Sequence, residues 1–334
     1  MPQYFLIGKN LSGQGRSDFV VLVTGSTGFL GRRVVRELLE RGHEVRCLVH
    51  TPGRERIFAH REVEVQYGSI GDRTSLENAF YDVESVIHLV GGMRLSGSNS
   101  FDTVHREGTA NVLAASKKVG ARHFLHVSAI GAANDQAYPY LHTKWLGEQE
   151  VKKSGIHFTI FRPSILFGEG DQFLNVLAAM VRLSPFVPVI GSGKNRLQPL
   201  AADDLARCIA ISLSREDLKG KTIDLGGTER LNYNELVIEV ARAMGKRRMR
   251  FHVPVRLMRL VAAVCQGILP RTPVTTEQIK MLGIRNVAEL GEVERVFGFT
   301  PKSMKGNIDY VNSLTFVDGV QMVLGGRPKI ISNP

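Results

Sequence analysis

The protein has 334 residues, of which 43 % are hydrophobic and 22 % are charged, close to ordinary globular usage. This composition excludes a disordered, collagen-like or coiled-coil chain, and the length is ample for a substantial hydrophobic core. The 43 Lys and Arg residues outnumber the 32 Asp and Glu residues, so the formal net charge is +11.

The N-terminus and the cysteines bear on the compartment of the protein. No apolar run reaches the roughly 18 residues of a membrane span, and residues 1–18 lack the features of a signal peptide. We interpret residues 1–18 as a short flexible N-terminal arm or as the result of an upstream translation start. The three cysteines are too few and too widely spaced for a disulfide framework or a CxxC metal site, which fits a reducing compartment. The sequence therefore predicts a cytoplasmic protein without a metal centre.

Short apolar runs alternate with amphipathic stretches between residues 19 and 162. The apolar runs are rich in β-branched and aromatic residues and predict strands at 19–25, 44–50, 63–68, 85–91, 123–129 and 157–163. The amphipathic stretches predict helices at 29–42, 74–82, 109–120 and 140–155. Buried-type strands separated by helices indicate a parallel sheet covered on both faces. We predict an α/β fold with a Rossmann-type, doubly wound dinucleotide-binding domain over residues 19–162.

The alternation breaks down after Pro163. Helices are predicted at 173–184, 203–213, 232–245 and 255–267, and short strands at 186–190 and 222–227. We predict that residues 163–334 form a smaller, mostly helical substrate-binding region, interleaved with the first domain. It is expected to pack over the carboxyl ends of the strands, where such folds bind ligands.

A glycine-rich loop follows the first predicted strand. Gly25, Gly28 and Gly31 have the spacing GxxGxxG and lie between a strand and an amphipathic helix. In a dinucleotide-binding loop these glycines permit a tight turn, close approach of the backbone to a pyrophosphate, and close packing of the helix on the sheet. The helix N-terminus offers N–H groups and a positive dipole end to the phosphates.

The end of the second strand bears on the choice of coenzyme. An NAD site usually has Asp or Glu there, but this chain has His50. Arginine can clamp a 2′-phosphate, so we expect NADP(H) in preference to NAD(H). The alternative is that the nearby arginines are merely solvated. They are Arg46, Arg54 and Arg56.

Tyr140 and Lys144 stand four residues apart in a predicted helix, which puts both side chains on one face. An ammonium group near a phenol favours the phenolate and lowers its pKa. Twelve residues before Tyr140, Ser128 ends a predicted strand, where its hydroxyl could hydrogen-bond a substrate carbonyl.

The glycine loop and the YxxxK pair, in this order and architecture, resemble the short-chain dehydrogenase/reductase superfamily, in particular its extended and atypical, epimerase/dehydratase-like branches. Further matches are VIHLVGG, REGTANVL, FRPSILFGEGD and QPLAADDLA. The run SPFVPVIGSGKNRLQPLAADDLA is similar to the atypical subgroup that contains the accessory nucleotide-binding subunit of mitochondrial complex I. The resemblance covers about residues 19–230 well and the rest loosely.

The resemblance implies roles for individual residues. Tyr140 would be the general acid/base, Lys144 would bind the nicotinamide ribose, and Ser128 would orient the carbonyl. Further residues implied at the coenzyme are Gly25, Thr27, Phe29 and Leu30 at the phosphates, Asp72 at the adenine and Pro163 near the nicotinamide.

Three positions depart from the family pattern. His105 stands where many members have a proton-relay Asn, although a histidine can also relay protons. Ser69 replaces an acidic residue that often precedes Asp72, and His50 stands where NADP-using relatives often have Arg.

Three functions follow as hypotheses. The first is an NADP(H)-dependent oxidoreductase acting on a carbonyl or alcohol of a small or lipophilic, quinone-related molecule. The second is a non-catalytic nucleotide-binding accessory or assembly subunit of a respiratory or quinone-related complex. The third is a sugar-nucleotide epimerase or dehydratase with tightly held NAD, against which the missing acid at His50 speaks.

Residues 242–260 contain seven basic residues and no acidic one, and they lead into an apolar helical pattern. Such a segment can lie on an anionic membrane surface, which predicts peripheral contact with the inner face of a membrane. The alternative is a solvated face beside a helix packed over the substrate cleft. No nucleic-acid-binding motif is present, so we expect no nucleic-acid partner.

Overall fold

A computed structural model describes residues 20–93, 100–268, 274–324, 326 and 328. The N-terminal arm predicted for residues 1–18 lies outside these ranges. The chain divides into two compact units. The first comprises Met1–Arg162 and Leu205–Ile223, and the second comprises Pro163–Asp204 and Asp224–Pro334.

The strands, in chain order, are β1 (Val20–Thr24), β2 (Glu44–Val49), β3 (Glu64–Tyr67), β4 (Val83–His88), β5 (His123–Val127), β6 (His157–Pro163), β7 (Leu166–Phe167), β8 (Phe186–Ile190), β9 (Arg196–Leu197), β10 (Leu200–Ala201), β11 (Lys221–Leu225), β12 (Leu231–Asn232) and β13 (Met249–Val253).

The α-helices are α1 (Gly31–Glu40), α2 (Arg73–Ala79), α3 (Gly108–Lys118), α4 (Pro139–Lys153), α5 (Phe173–Leu183), α6 (Ala202–Ser212), α7 (Tyr233–Ala243), α8 (Val255–Ile268), α9 (Thr276–Met281), α10 (Glu292–Phe297) and α11 (Phe316–Val323). A π-helical turn, Thr103–Glu107, runs directly into α3, and 3₁₀ turns span Arg54–Phe58, Glu216–Leu218 and Asp309–Ser313.

The first unit is built on a seven-stranded sheet in the order β11-β6-β5-β4-β1-β2-β3. The neighbouring strands from β6 through β3 pair in parallel. In all of these strands except the edge strand β3 the central residues are buried because helices cover both faces, which explains why they are apolar runs rather than alternating ones. The predicted Rossmann-type α/β fold is therefore confirmed.

The strand order reverses between β1 and β4. The chain runs outward from β1 through β2 to β3 and then crosses back to β4, which pairs with the other side of β1. In open α/β sheets, ligands bind outside the carboxyl ends of the strands at such a switch point. The fold therefore brings the ends of β1, β4 and β5 to the place where a ligand is expected.

The second unit has a core of its own, to which α5, α7 and the 3₁₀ turn Asp309–Ser313 contribute buried apolar residues. Short two-stranded pairings join β7 with β10, β9 with β12, and β8 with β13. The predicted helices of this region are present, whereas β13 arises in a basic stretch for which no strand was predicted. Within the described residues, no helix combines the length and the hydropathy needed to cross a membrane.

Candidate functional site

The glycine loop joins β1 to α1 in a conformation that requires two of its glycines. Gly25 has a φ of +71°, and a Cβ there would press on the backbone of Leu89 and Val90 after β4. A Cβ on Gly31 would collide with the carbonyl oxygen of Gly25, so only glycine lets α1 start this close to the loop. The loop is anchored from β2 as well, because Ser26 Oγ donates to the Leu48 carbonyl at 3.3 Å.

The open end of α1 is suited to an anion. Leu30 at the N-cap makes no side-chain capping hydrogen bond, and the first turn of the helix contains no acidic residue. Thr27, Phe29 and Leu30 line the loop and are partly exposed, while Gly28 is exposed. A helix N-terminus of this kind attracts phosphate through its dipole and its free N–H groups.

Arg33 is a member of this site that was not singled out from the sequence. Its Nη1 donates to the Phe29 carbonyl at 2.8 Å, and its guanidinium lies 4.4 Å from the centre of the Phe29 ring. The side chain is 7 % exposed. Arg33 therefore fixes the glycine loop and places a positive charge beside it; its position one turn after Phe29 was the signal in the sequence.

The arginines near the end of β2 have different roles. Arg46 is 2 % exposed, and its Nε donates to Glu64 Oε2 at 2.7 Å while its guanidinium stacks on Tyr81. The expectation that it lies near a 2′-phosphate is wrong, because the parallel pairing of β2 with β3 turns it towards Glu64. Arg54 and Arg56 are exposed in the 3₁₀ turn that follows His50.

Two further predicted coenzyme residues lie apart from this loop in the sequence. Asp72 caps α2, its Oδ1 accepting a hydrogen bond from the Thr74 backbone at 3.0 Å. Pro163 is buried at the end of β6.

Tyr140 and Lys144 both lie in α4, with Pro139 in its first turn. Proline suits this position because its fixed φ fits a helix and its missing N–H is not needed there. Lys144 is 4 % exposed, and its Nζ donates to the Val127 carbonyl at the end of β5 at 3.0 Å. A Cβ on Gly91 would collide with this Nζ, so the absence of a side chain at position 91 gives the ammonium its place beyond β4.

Ser128 follows β5 directly, and its backbone N–H donates to the Phe161 carbonyl at 2.7 Å. Its side chain is 4 % exposed, and its Oγ has no hydrogen-bond partner among the described residues. A buried hydroxyl left without a partner costs free energy, so this oxygen is suited to a ligand or an ordered water.

His105 lies in the π-helical turn before α3, a type of turn that often occurs at functional sites. Its Nδ1 is 2.9 Å from Thr143 Oγ1, and its ring meets the Tyr140 ring edge-on at a centroid distance of 5.4 Å. Phe101 stacks on the imidazole and also meets the Tyr140 ring edge-on, so the three rings contact one another. His105 and Tyr140 are thus in contact, and His105 lies in a π-helical turn that no pattern in the sequence indicates.

Two more histidines lie at the carboxyl end of the sheet. His88 pairs in register with Thr24 on one side and His126 on the other, and the two imidazoles stack at 5.5 Å. His88 is hydrogen-bonded through Nδ1 to Thr24 and through Nε2 to Thr109. Both ring nitrogens of His126 are buried and have no partner among the described residues.

The charges of this cluster follow from burial. Desolvation lowers the pKa of Lys144 to about 8 and raises the pKa of Tyr140 to about 12. Desolvation, together with the Lys144 charge, lowers the pKa of His88 to about 3 and that of His105 to about 2. The expectation that Lys144 lowers the pKa of Tyr140 is therefore wrong for this geometry. At neutral pH the phenol is protonated, the imidazoles are neutral, and Lys144 carries the positive charge.

The first unit thus combines a glycine loop suited to phosphate with a protonated phenol, a buried ammonium and a hydroxyl that has no hydrogen-bond partner among the described residues. The sequence pattern described as the NAD dependent epimerase/dehydratase family matches residues 21–226, more than half of the chain. The chain belongs to this family. Its fold is that of an NAD(P)-binding protein, and the resemblance to the extended and atypical short-chain dehydrogenases is confirmed.

Two proteins that are similar to this chain have names that describe different functions. A mitochondrial NADH dehydrogenase [ubiquinone] 1 alpha subcomplex subunit 9 of Arabidopsis thaliana is 30 % identical over 66 % of this chain, and the match spans 56 % of that protein. A ceramide reductase of Caulobacter vibrioides is 29 % identical over 70 % of this chain and 74 % of its own length.

Solved structures agree on the fold. The NADPH complex of the quinone oxidoreductase QOR2 from Escherichia coli superposes with a TM-score of 0.72, over 87 % of this chain and 99 % of that one, at 17 % identity. UDP-glucose 4-epimerase of Thermotoga maritima superposes with a TM-score of 0.66, over 90 % of this chain and 99 % of that one, at 18 % identity.

Proposed function

We propose that this protein is an NADP(H)-dependent oxidoreductase that reduces a carbonyl group on a lipophilic substrate. The observation that carries the proposal is the grouping of Tyr140, Lys144 and His105 beyond the carboxyl ends of β4 and β5, next to the strand end that bears Ser128. A purely structural pair in α4 would not need a buried ammonium or leave the Ser128 hydroxyl without a partner.

The site fits a nicotinamide coenzyme at its phosphates. The loop residues Gly25, Thr27, Phe29 and Leu30 and the start of α1 at Gly31 would hold the pyrophosphate, and a Cβ at position 25 or 31 would crowd or clash with neighbouring backbone. The reduced coenzyme, when bound, supplies the hydride.

The protein's own residues supply the proton. Tyr140, protonated at neutral pH because its pKa is raised to about 12, donates its proton to the carbonyl oxygen as the carbon is reduced, so the product is an alcohol. Ser128 orients the carbonyl by donating a hydrogen bond to the same oxygen. Lys144 places a positive charge near the developing alkoxide and holds the coenzyme ribose. His105, as a neutral imidazole, replaces the proton that Tyr140 has given up: one ring nitrogen releases a proton to the phenolate while the other takes one up from water.

The preference for NADP(H) rests on the end of β2. His50 provides no carboxylate to bind the ribose hydroxyls, and Arg54 and Arg56 are exposed nearby to meet a 2′-phosphate. The proposal of a lipophilic substrate draws on the similarity to a protein named ceramide reductase, which spans most of both chains.

The decisive experiment compares Tyr140→Phe with the unaltered protein. NADPH consumption is followed with a panel of quinones and long-chain ketones, and NADPH binding is measured by calorimetry. We expect the variant to lose turnover by about 100-fold or more while its NADPH affinity stays within about twofold. A protein that binds NADPH but turns over no member of the panel, with or without Tyr140, would contradict the enzymatic proposal.

A second candidate is a nucleotide-binding accessory subunit of a respiratory or quinone-related complex. It is favoured by the 30 % identity to a subunit named as part of NADH dehydrogenase. Here the bound nucleotide would stabilise the fold by mass action rather than react. Mass spectrometry of the nucleotide retained by the purified protein separates the candidates: tightly retained NADPH that is never oxidised supports the subunit, and retained NAD supports an epimerase.

A further inference from the structure

One surface of the second unit carries basic charge without acidic neighbours in the sequence. Between Glu239 and Glu277 the chain contains no acidic residue. From Glu239 to the end of α8, the basic residues are Arg242, Lys246, Arg247, Arg248, Arg250, Arg256 and Arg259.

Helix α8 exposes apolar side chains instead of burying them. Of its 14 residues only Ala262 is buried, whereas Leu260 is 62 % exposed and Ile268 is 75 % exposed. With 3.6 residues per turn, Val255 falls near the Ala262 side, and the other five exposed large hydrophobic residues fall on the opposite side of the helix. These residues are Leu257, Leu260, Val261, Val264 and Ile268.

Strand β13 adds to the apolar surface. Met249 is 60 % exposed, Phe251 is 46 % exposed, and Phe186 on the paired strand β8 is 50 % exposed. Met249 and Phe186 are register partners, so their side chains lie on the same face of the ribbon. Pro254 alone separates β13 from α8.

A basic groove lies next to β13, at the end of α7. It has a volume of about 480 Å³ and is lined by Lys246, Arg247 and Arg248 together with the apolar side chains of Val237 and Ile238. Arg242 also lines it but is ion-paired with Glu239, its Nη1 donating to Oε1 at 2.7 Å. A groove with cationic and apolar walls is suited to a group that is itself anionic at one end and apolar at the other.

We propose that α8 and β13 dock this protein on the surface of an anionic lipid bilayer. The exposed apolar side chains of α8 insert into the headgroup region, and the flanking arginines pair with lipid phosphates. The groove at the end of α7 receives an anionic headgroup. At 14 residues α8 is too short to span a bilayer, so it lies along the interface.

The charge favours a lipid surface over other occupants. A second copy of this chain docked through the same face would set arginines against arginines. A nucleic acid would bind the basic residues but would make no favourable contact with the apolar side of α8. An anionic bilayer satisfies both parts of the surface, and it holds the lipophilic substrates that the proposed function requires.

Vesicle co-sedimentation of the full-length protein tests the proposal. Vesicles of phosphatidylcholine alone are compared with vesicles of equal parts phosphatidylcholine and phosphatidylglycerol. The charge variant is Lys246→Ser, Arg247→Ser and Arg256→Ser combined, since Lys246 and Arg247 line the groove and Arg256 is exposed at the start of α8. Arg248 is left intact because its Nε donates to the Val181 carbonyl at 2.7 Å. We expect about a hundredfold weaker binding to the anionic vesicles, because each basic residue near such a surface contributes about a fivefold factor.

A matched control removes the same charge elsewhere. Lys117, Lys118 and Arg122 are exposed on the first unit, and their combined replacement by Ser should leave vesicle binding within about twofold. A third variant, Leu257→Ser with Leu260→Ser and Val264→Ser, should abolish the binding that persists in high salt, where charge is screened.

Three results would overturn the proposal. One is failure of the unaltered protein to sediment with anionic vesicles. Another is equal weakening by both charge variants, which would show a response to net charge alone. The third is a dimer, detected by analytical ultracentrifugation, that the Leu257, Leu260 and Val264 replacements dissociate. Circular dichroism of each variant confirms that it is folded, and turnover with a water-soluble substrate separates failure here from failure of the proposed function.

Discussion

The Lys144 ammonium lies where a side chain on residue 91 would have to be. A Cβ on Gly91 would collide with Lys144 Nζ, which instead donates to the Val127 carbonyl at 3.0 Å. The two residues come from different elements, the loop after β4 and the middle of α4. The position of the proposed catalytic charge thus depends on a glycine 53 residues earlier in the sequence.

Replacing Gly91 should therefore impair turnover without touching any reacting group. In Gly91→Ala the methyl group displaces the ammonium, and we expect turnover to fall by about a hundredfold, the scale of a misplacement of about 1 Å. Steady-state kinetics of NADPH oxidation provide the measurement. Gly71→Ala is the matched control, since its Cβ would meet only Ser69 Oγ, at 3.7 Å. Similar turnover in both variants would show that the position of Lys144 is unimportant.

Replacing the arginines around β2 should have two distinct effects, one on the stability of the protein and the other on its choice of coenzyme. Arg46→Met removes one partner of a largely buried ion pair, and we expect a loss of about 3 kcal/mol in the free energy of unfolding with no change in the ratio of NADPH to NADH affinity. The double variant Arg54→Ser with Arg56→Ser should leave the free energy of unfolding unchanged and lower the ratio of NADPH to NADH affinity about tenfold or more. Urea unfolding and calorimetric titration test the pair. An unchanged affinity ratio in the double variant would exclude a 2′-phosphate site there.

We expect the stacked histidines, His88 and His126, to make the protein less stable in acid. Burial holds the pKa of His88 and His126 below the value of an unfolded chain, so below about pH 6.5 the unfolded state binds more protons than the native state. The free energy of unfolding should fall steadily from pH 6.5 towards pH 4. His126→Phe should make this fall shallower, because one buried titrating group is gone.

His88 and His126 differ in the hydrogen bonds that they make at neutral pH. His126→Phe should change the free energy of unfolding at pH 7 by less than about 1.5 kcal/mol, since no hydrogen bond is lost. His88→Phe should cost about 2 kcal/mol or more, because it breaks the bonds to Thr24 and Thr109. Urea unfolding at pH 7 and pH 5 measures both. Equal costs would contradict the assigned hydrogen bonds.

His105 should act through its ring nitrogens rather than through its volume. His105→Asn preserves a polar group next to Tyr140 and should keep turnover within about tenfold, whereas His105→Leu should lower it by about 100-fold or more. Thr143→Val, which removes the 2.9 Å partner of Nδ1, should fall between them. The pH profile of turnover is recorded for each variant. A Leu variant as active as the Asn variant would exclude proton relay by His105.

The architecture of the first unit could be predicted because its signals are local. Strand β1, the glycine loop and α1 are adjacent in the sequence, and two reasons for glycine lie within the loop itself: the φ of +71° at Gly25 and the collision of a Cβ on Gly31 with the Gly25 carbonyl oxygen. The four-residue spacing of Tyr140 and Lys144 places them on one helix face by helix geometry alone.

The role of Arg46 and the surface made by β13 could not be predicted in the same way. Closeness in sequence groups Arg46 with Arg54 and Arg56. The pairing of β2 with β3 instead places Arg46 beside Glu64, with which it forms an ion pair. Strand β13 carries alternating basic and apolar residues that resemble a solvated segment until β8 lies beside it. In both cases the partner comes from a different part of the chain.

The sequence by itself determined the fold class, the glycine loop and the chemical types at the site, because periodicity and spacing act within one element or between neighbours. Only the tertiary structure decided the protonation states and the partners. Desolvation sets the pKa values of Tyr140, Lys144 and His105, and it depends on which elements pack around each group. Burial is a property of the folded chain as a whole, and no local pattern in the sequence specifies it.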